Sequence, residues 1–164
     1  MDKSQMPLEA LLQILQESLV KKTELLTAIE EKSKEQEAIL KKENFTFKEL
    51  DENMDAKSEL IEQLIRLDNG FETLYGKIRG ELIENKDLYK IQIEEIQNLI
   101  VEVTARGASI EAIEARNKAA IETYFSKAKR ELQSKKNASS VAHRYYQTAK
   151  KLSNLPPQFL DQKK

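Results

Sequence analysis

The sequence predicts an all-α fold: an elongated antiparallel three-helix, coiled-coil-like bundle with a short flexible C-terminal tail. Charged residues make up 34% of the 164 residues, whereas the chain has only 4 glycines and 3 prolines. This composition is typical of long amphipathic helices and poor in the residues that the turns of a sheet protein require. Aliphatic residues recur in steps of three and four along most of the chain, which is the periodicity of a helix with one buried face. We therefore expect one helical domain over residues 1–154.

The first helix is predicted over residues 8–43. Pro7 suits a helix N-terminus, because the N–H group that proline lacks has no intrahelical partner there. A heptad stripe follows, formed by Leu8, Leu12, Leu15, Leu19, Leu26 and Ile29. Ser33 and Gln36 then take the stripe positions, which we interpret as a solvated turn, before the stripe resumes at Leu40.

The second helix is predicted over residues 46–104. Thr46 and Glu49 have the spacing of a capping box, and Phe45 and Leu50 flank them as a hydrophobic staple. An apolar stripe continues from there through Leu60, Leu64, Leu67, Phe71, Leu74, Ile78, Leu82, Tyr89, Ile93, Ile96, Ile100 and Val103. Three glycines inside the helix each weaken it by ~1 kcal/mol relative to alanine: Gly70, Gly76 and Gly80. We expect them to bend the helix rather than end it.

The third helix is predicted over residues 109–153. Gly107 suits the end of the preceding helix, and Ser109 before Glu111 suits an N-cap with an acid in the first turn. Its apolar positions include Ile110, Ile113, Ile121, Phe125 and Leu132. Two consecutive prolines stop the helix, and residues 155–164 are predicted to form a flexible tail.

One polar residue interrupts the third stripe. Asn117 lies between Ile113 and Ile121, at a position where the periodicity calls for an apolar side chain. A buried asparagine in a helical seam fixes the register of the helices at some cost in stability. We therefore predict that Asn117 lies in the seam and sets the register.

The residues for catalysis or metal binding are scarce. The chain has no cysteine, which excludes disulfides and thiolate sites, and its one histidine, His143, is interpreted as a structural or surface residue. Three Glu-x-x-Glu pairs are interpreted as solvated acidic faces: Glu59 with Glu62, Glu81 with Glu84, and Glu111 with Glu114. A carboxylate di-metal bundle draws histidines from two helices, which one histidine cannot supply. No glycine-rich phosphate loop is present. We expect no catalytic, cofactor-binding or metal site, and no enzymatic activity.

Charge is distributed unevenly along the chain. Residues 1–126 carry 17 basic and 26 acidic side chains, a net charge of −9, whereas residues 127–164 carry 10 basic and 2 acidic ones, a net charge of +8. The basic segment is also amphipathic, and amphipathic helices at chain ends commonly dock onto partner proteins. We predict a protein-binding face made of Val141, Ala142, Tyr145, Tyr146, Ala149 and Leu152. Binding to single-stranded nucleic acid, to a membrane surface, or to the chain's own acidic body stays open as an alternative.

The apolar stretches do not resemble a secretion signal or a membrane span. The first of them, from Leu8 to Val20, is interrupted by glutamates and glutamines, and no uninterrupted run approaches the ~20 residues that a span requires. We therefore expect the protein in the cytoplasm, without stable membrane insertion.

Several segments together resemble the FlgN-type flagellar export chaperones. They are the leucine-striped helix from Leu8 to Ile29, the stretch KSELIEQLIRL from Lys57 to Leu67, the stretch EARNK from Glu114 to Lys118, and the tyrosine pair Tyr145-Tyr146 in an amphipathic C-terminal stretch. The resemblance covers most of the chain.

The resemblance implies a cytosolic chaperone that captures hook–filament junction (hook-associated) subunits before type III export. Such a chaperone keeps its clients unpolymerised and delivers them to the export apparatus. The resemblance also implies that the C-terminal helix, here about residues 139–152, binds the client. A structural coiled-coil protein that forms homo-oligomers and has no client is the main alternative. The identity of the client subunit and the oligomeric state are left open by the sequence.

Overall fold

The computed structural model describes residues 7–130 and 135–153. This part of the chain forms four α-helices: α1 (Leu8–Lys41), α2 (Phe47–Glu84), α3 (Lys90–Arg130) and α4 (Lys135–Ser153). The prediction of an all-α, elongated bundle is confirmed. The predicted flexible tail, residues 155–164, lies outside the described residues.

The start of α1 and the turn into α2 agree with the sequence prediction. The carbonyl of Pro7 accepts the first backbone hydrogen bonds of α1, from Ala10 N at 3.0 Å and from Leu11 N at 3.2 Å. At the start of α2, the hydroxyl of Thr46 accepts a hydrogen bond from the backbone N–H of Glu49 at 3.1 Å. This bond satisfies one of the N–H groups that have no partner inside the helix. α1 ends two residues before the predicted boundary, at Lys41.

The second predicted turn is wrong. The chain reverses direction at residues 85–89, because α2 ends at Glu84 and α3 begins at Lys90. Asn85 closes α2: its side-chain amide donates to the carbonyl of Glu81 at 2.7 Å. Asparagine favours such local bonds over a continuing helix, so Asn85 and the nearby Asp87 were the turn signal in the sequence.

Gly107 and Ser109 lie inside α3 rather than in a turn. Ser109 donates a hydrogen bond to the Glu30 carboxylate of α1 instead of capping a helix. Arg106 donates to the same carboxylate at 2.9 Å. A glycine inside a helix costs only ~1 kcal/mol, and packing against α1 outweighs that cost. The predicted third helix, 109–153, is therefore wrong as one element, because its residues belong to α3 and α4.

The helices follow a simple order around the bundle. α2 runs antiparallel to α1, with Lys22 facing Asp68 and Gln36 facing Asn53. α3 runs parallel to α1, since Gln16 bonds to Glu95 and Ser33 to Glu114. α4 packs on both α2 and α3. Within the described residues, no Cα of α2 comes within 8 Å of a Cα of α3, and the same holds for α1 and α4.

The bundle therefore has two halves. In the covered half, α4 lies between α2 and α3, opposite α1, so that four helices surround one core. In the open half, which extends from the end of α4 to the reversal at residues 85–89, α1 bridges α2 and α3 among the residues that the structure describes. α4 is 19 residues long and α2 is 38, so α4 reaches along about half of α2.

The apolar core consists of two clusters. The larger one lies mainly in the open half, and its buried members come only from α1, α2 and α3: Leu12, Leu15, Leu19, Leu25, Leu26, Ile29, Ile61, Leu64, Phe71, Ile78, Ile96, Ile100, Val103 and Ile110. The smaller one lies in the covered half: Ile39, Leu50, Met54, Ile121, Val141 and Tyr145. Between them lies a layer of buried polar side chains.

Candidate partner-binding site

The residues predicted to bind a partner lie on α4, and most of them face the bundle. Val141 and Tyr145 are buried, with 5% and 2% of their surface exposed. Ala142, Ala149 and Leu152 are half-buried, and only Tyr146 is exposed. The predicted face is thus one continuous stripe of a helix, but the stripe contacts the chain's own α2 and α3. A partner reaches Val141 or Tyr145 only when α4 moves away from the bundle.

Tyr145 is the largest side chain that α4 inserts. Its hydroxyl lies 3.5 Å from the backbone carbonyl of Glu114 on α3. Burial raises the pKa of the Tyr145 phenol above its usual range, and the nearby Glu114 carboxylate acts in the same direction. The ring of Tyr146 meets that of Tyr145 edge-on, with 5.5 Å between ring centroids. The two neighbouring tyrosines therefore differ in role: one lies in the core and one on the surface.

Ion pairs at the edge of α4 attach it to α2. Arg144 pairs with both Asp51 and Asp55, and the ammonium group of Lys151 lies 2.8 Å from the carboxylate of Glu62. These side chains are between one third and three fifths exposed, so each pair contributes about 1 kcal/mol or less. The basic C-terminal segment thus faces acidic side chains of α2, which was one of the alternatives that the sequence left open.

A buried polar band separates the two apolar clusters. It is formed by five buried residues and by Glu114, whose side chain is 13% exposed: Ser33, Gln36, Asn53, Lys57, Asn117 and Glu114. The interpretation of Ser33 and Gln36 as a solvated turn is wrong, because both side chains are fully buried. Gln36 donates to the side-chain oxygen of Asn53 at 3.1 Å and accepts from Lys57 at 3.1 Å. Their partners on α2 and α3 explain why these polar residues are tolerated in a core.

Asn117 lies in the seam, as predicted. Its side chain is fully buried, and its amide donates to the backbone carbonyl of Ser33 at 3.0 Å and to the side-chain oxygen of Gln36 at 3.1 Å. These bonds form only when α1 and α3 are in one particular register. The geometry therefore supports Asn117 as the residue that fixes the alignment of the two helices.

An ion pair links α2 to α3 through the polar band. The ammonium group of Lys57 lies 2.5 Å from Oε1 of Glu114, and 1% of the Lys57 side chain is exposed. Desolvation lowers the pKa of Lys57, and the Glu114 carboxylate opposes this shift. Ser33 also donates to Oε1 of Glu114, at 2.8 Å. The interpretation of Glu114 as part of a solvated acidic face is therefore wrong.

The remaining polar features of the described helices include the single histidine of the chain. His143, interpreted from the sequence as structural or superficial, is exposed on α4. Among residues 7–130 and 135–153, no three histidine, aspartate or glutamate side chains come together as metal ligands. None of the helices in these two ranges combines the length and the apolarity that crossing a bilayer requires.

Comparisons with protein-family models, with curated proteins and with solved structures found nothing that matches this chain.

Proposed function

We propose that the chain is a cytosolic, non-enzymatic chaperone of the FlgN type. In this proposal it binds hook–filament junction subunits, prevents their premature assembly and delivers them for export. The resemblance of its sequence segments to that family suggests the client, and the position of α4 suggests how the client is held. The body formed by α1, α2 and α3 supplies the rigid support.

The observation that carries the proposal is the way α4 is attached. α4 is an amphipathic helix that inserts two large side chains, Val141 and Tyr145, into the smaller cluster. Fully burying such a side chain contributes about 1.5–3 kcal/mol, and the flanking ion pairs with α2 are partly exposed. Within the described residues, the buried members of the larger cluster belong to the other three helices, and the half-buried Leu152 of α4 packs against its edge. α4 can therefore leave the bundle while the larger cluster persists.

A released α4 offers the surface that a client helix needs. The stripe from Val141 to Leu152 is apolar, and Tyr145 and Tyr146 are the kind of side chain that interfaces favour, because tyrosine buries much area with few rotamers to restrict. An amphipathic helix of the client can pair with this stripe. Pairing of this kind covers the helical surface through which the client assembles, and this prevents polymerisation.

Tethering α4 to α2 tests the proposal directly. The side chains of Lys151 and Ser58 meet at 3.3 Å between Nζ and Oγ, and the chain has no cysteine. A Lys151→Cys, Ser58→Cys variant can therefore be linked specifically with a short bismaleimide. We expect the unlinked variant to capture purified hook–filament junction subunits in titration calorimetry, and the linked form to bind at least about tenfold more weakly.

Two further variants complete the test. Deleting residues 137–164 is expected to abolish capture while the circular dichroism signal of the other helices persists. Tyr146→Ala changes an exposed residue of the same face and is expected to weaken capture while lowering the free energy of unfolding by only about 0.5 kcal/mol. Capture that is equally strong in the linked and unlinked forms would show that α4 does not have to open. No capture by the unmodified chain would contradict the proposed function itself.

A further inference from the structure

The surface that receives α4 belongs to residues that precede α4 in the chain. Val141 and Tyr145 enter the smaller cluster beside side chains of the first three helices, and the ammonium group of Lys151 bonds to Ser58 and Glu62 of α2 at 3.3 and 2.8 Å. The backbone contacts of α4 are with α2 and α3. An α4 that comes from a second copy of the chain therefore finds the same surface, with the same partners, on that copy.

α4 runs in the opposite direction to α3, the helix that precedes it. Arg144 pairs with Asp55, and Lys151, two turns later, pairs with Glu62, so α4 runs parallel to α2. Because α2 is antiparallel to α1 and α3 is parallel to α1, α4 is antiparallel to α3. Within one chain, α4 thus reaches its place only if the chain reverses direction between α3 and α4.

The sequence at this reversal is short and lacks turn residues. α3 ends at Arg130 and α4 begins at Lys135, and the sequence between them, residues 131–134, is Glu-Leu-Gln-Ser. No glycine or proline occurs between Gly107 and Pro156, which is why the periodicity predicts a single helix over residues 109–153. A short connection between two packed elements favours their exchange between copies, because exchange removes the need for the tight reversal.

The distribution of charge favours the encounter of α4 with a second copy. Residues 1–126 carry a net charge of −9 and residues 127–164 a net charge of +8. The basic segment of one copy is therefore attracted to the acidic body of another. On arrival, its arginine at position 144 meets the carboxylates with which it pairs inside one chain, those of Asp51 and Asp55.

We propose that two copies of the chain exchange α4, so that the α4 of each copy occupies the surface formed by α2 and α3 of the other. The product is a two-fold symmetric dimer in which α4 keeps the contacts described above. Exchange of an identical element is a low-cost route to a dimer, because the surfaces that meet already fit each other. The inference goes beyond the proposed function, since no client takes part in the exchange.

Two single-cysteine variants test the exchange. One carries Ser58→Cys and the other Lys151→Cys, at two positions whose side chains meet when α4 lies on α2. The chain has no cysteine of its own, so a short bismaleimide joins the two variants only between copies. The variants are mixed, warmed so that α4 is released and docks again, then cooled and diluted before the reagent is added. Intact-mass spectrometry measures the linked heterodimer.

His143→Cys, mixed with Ser58→Cys, is the matched control. His143 is exposed on α4 and lies ~12 Å before Lys151 along the helix, too far from Ser58 for a short linker. Inside an exchanged dimer, the cysteines at positions 58 and 151 react at an effective concentration of about 1 mM, far above that of the diluted chains. We expect at least about tenfold more heterodimer from the first mixture than from the control. Equal yields overturn the proposal.

Reversed charges identify the surface that is exchanged. Arg144→Glu changes the cation of α4, and Asp51→Arg with Asp55→Arg changes its partners on α2. In either variant alone, like charges meet both within one chain and in an exchanged homodimer. In a mixture of the two variants, the exchanged heterodimer brings opposite charges together at both of its α4 surfaces, whereas an unexchanged chain does not.

Sedimentation velocity distinguishes the outcomes. We expect the dissociation constant of the heterodimer to be at least about tenfold lower than that of either homodimer. A mixture that sediments as the sum of its two components overturns the proposal. The cysteine experiment leaves Arg144 and its partners in place, so it decides the question even if a reversed charge unfolds the chain. Neither experiment contains a client, so failure of the exchange is distinct from failure of client capture.

Discussion

The covered and open halves of the bundle share the three long helices α1, α2 and α3, but α4 packs on them only in the covered half. In the covered half, α4 lies opposite α1, and the polar band crosses the core beside it. In the described part of the open half, α1 bridges α2 and α3. The core there is a mainly aliphatic cluster that includes Phe71, and a buried ion pair joins Lys22 to Asp68 at 2.7 Å.

The difference indicates a division of tasks. Aliphatic heptads bury area but specify register weakly, whereas hydrogen bonds between buried polar groups form in one alignment only. The polar band joins α1, α2 and α3, and its hydrogen bonds fix the relative positions of these three helices. The open half carries the larger apolar cluster. Exposed apolar residues such as Ile83, Leu88 and Ile91 lie there, away from α4. One half therefore sets the alignment, while the other presents surface.

Removing a charge from the polar band is expected to give the largest effect. Glu114→Ala leaves the buried ammonium group of Lys57 without its carboxylate, and such a change typically costs about 3–5 kcal/mol. Urea denaturation measures the loss. Glu52→Ala is the matched control, because Glu52 pairs with Lys48 across 3.9 Å on the exposed surface, and its loss should cost about 0.5 kcal/mol or less.

A double variant separates the ion pair from simple packing. Lys57→Met together with Glu114→Leu removes both charges at once and should recover most of the stability that Glu114→Ala loses. If Glu114→Ala costs no more than Glu52→Ala, the buried ion pair of the polar band does not hold α2 and α3 in register.

The two adjacent tyrosines of α4 test how firmly the covered half is closed. Tyr145→Ala removes the aromatic ring that fills the smaller cluster, and large-to-small changes of this kind cost about 3 kcal/mol or more. Tyr146→Ala removes an exposed ring and should cost about 0.5 kcal/mol. Chemical denaturation of both variants gives the ratio. Similar losses for the two would mean that α4 does not insert Tyr145 into the core.

The sequence predicts the local features of the fold well. The N-cap at Thr46, the leucine stripe of α1 and the seam position of Asn117 each depend on residues close together in the chain, whose spacing predicts a helix start or a helical face. Pro7, Thr46 and Glu49 act through bonds within one turn of helix. These features need no knowledge of which helices meet.

The errors concern choices that tertiary contacts decide. Gly107 and Ser109 resemble a helix break until the carboxylate of Glu30, far away in sequence, is known to lie beside Ser109. From the sequence, Ser33 and Gln36 are interpreted as solvated, because their hydrogen-bond partners belong to two other helices. Lys57 of α2 bonds to Gln36, and Asn117 of α3 bonds to both residues. The predicted face of α4 is a real stripe, yet periodicity alone does not show whether such a stripe packs on its own chain or on a partner.

Gly107 gives a direct test of the corrected boundary. A Cβ atom added at Gly107 meets no heavy atom within 4 Å, and the backbone there has no positive φ. Gly107→Ala should therefore stabilise the protein by up to ~1 kcal/mol, because alanine is the better helix former. Gly80→Ala in α2 meets equally open space and should give a similar gain. Thermal unfolding followed by circular dichroism measures the effect of both substitutions. Destabilisation by Gly107→Ala alone would support the turn that the sequence predicts at residues 107–109.

The smallest expected effect is a loss of stability at low pH. It arises at Glu30, whose ion pair with Arg106 joins α1 to α3 near the border of the two halves. The hydrogen bond from Ser109, with a further contribution from Arg106, lowers the pKa of Glu30 below its ordinary value of 4.5, although burial opposes the shift. The folded protein therefore binds fewer protons at Glu30 than the unfolded chain. The resulting stabilisation is present above pH 4.5 and is lost as the pH falls through the folded-state pKa.

Glu30→Gln removes this dependence on pH. At pH 7 the variant should be less stable than the original chain by about 1 kcal/mol or less, the range of partly exposed ion pairs. Below the folded-state pKa, where Glu30 itself is protonated, the difference should shrink towards zero. The comparison of Glu30→Gln with the original chain extends from pH 7 to pH 3. Urea midpoints measured across that range decide the matter, and a difference that stays constant with pH would mean that Arg106 and Ser109 do not stabilise the Glu30 carboxylate.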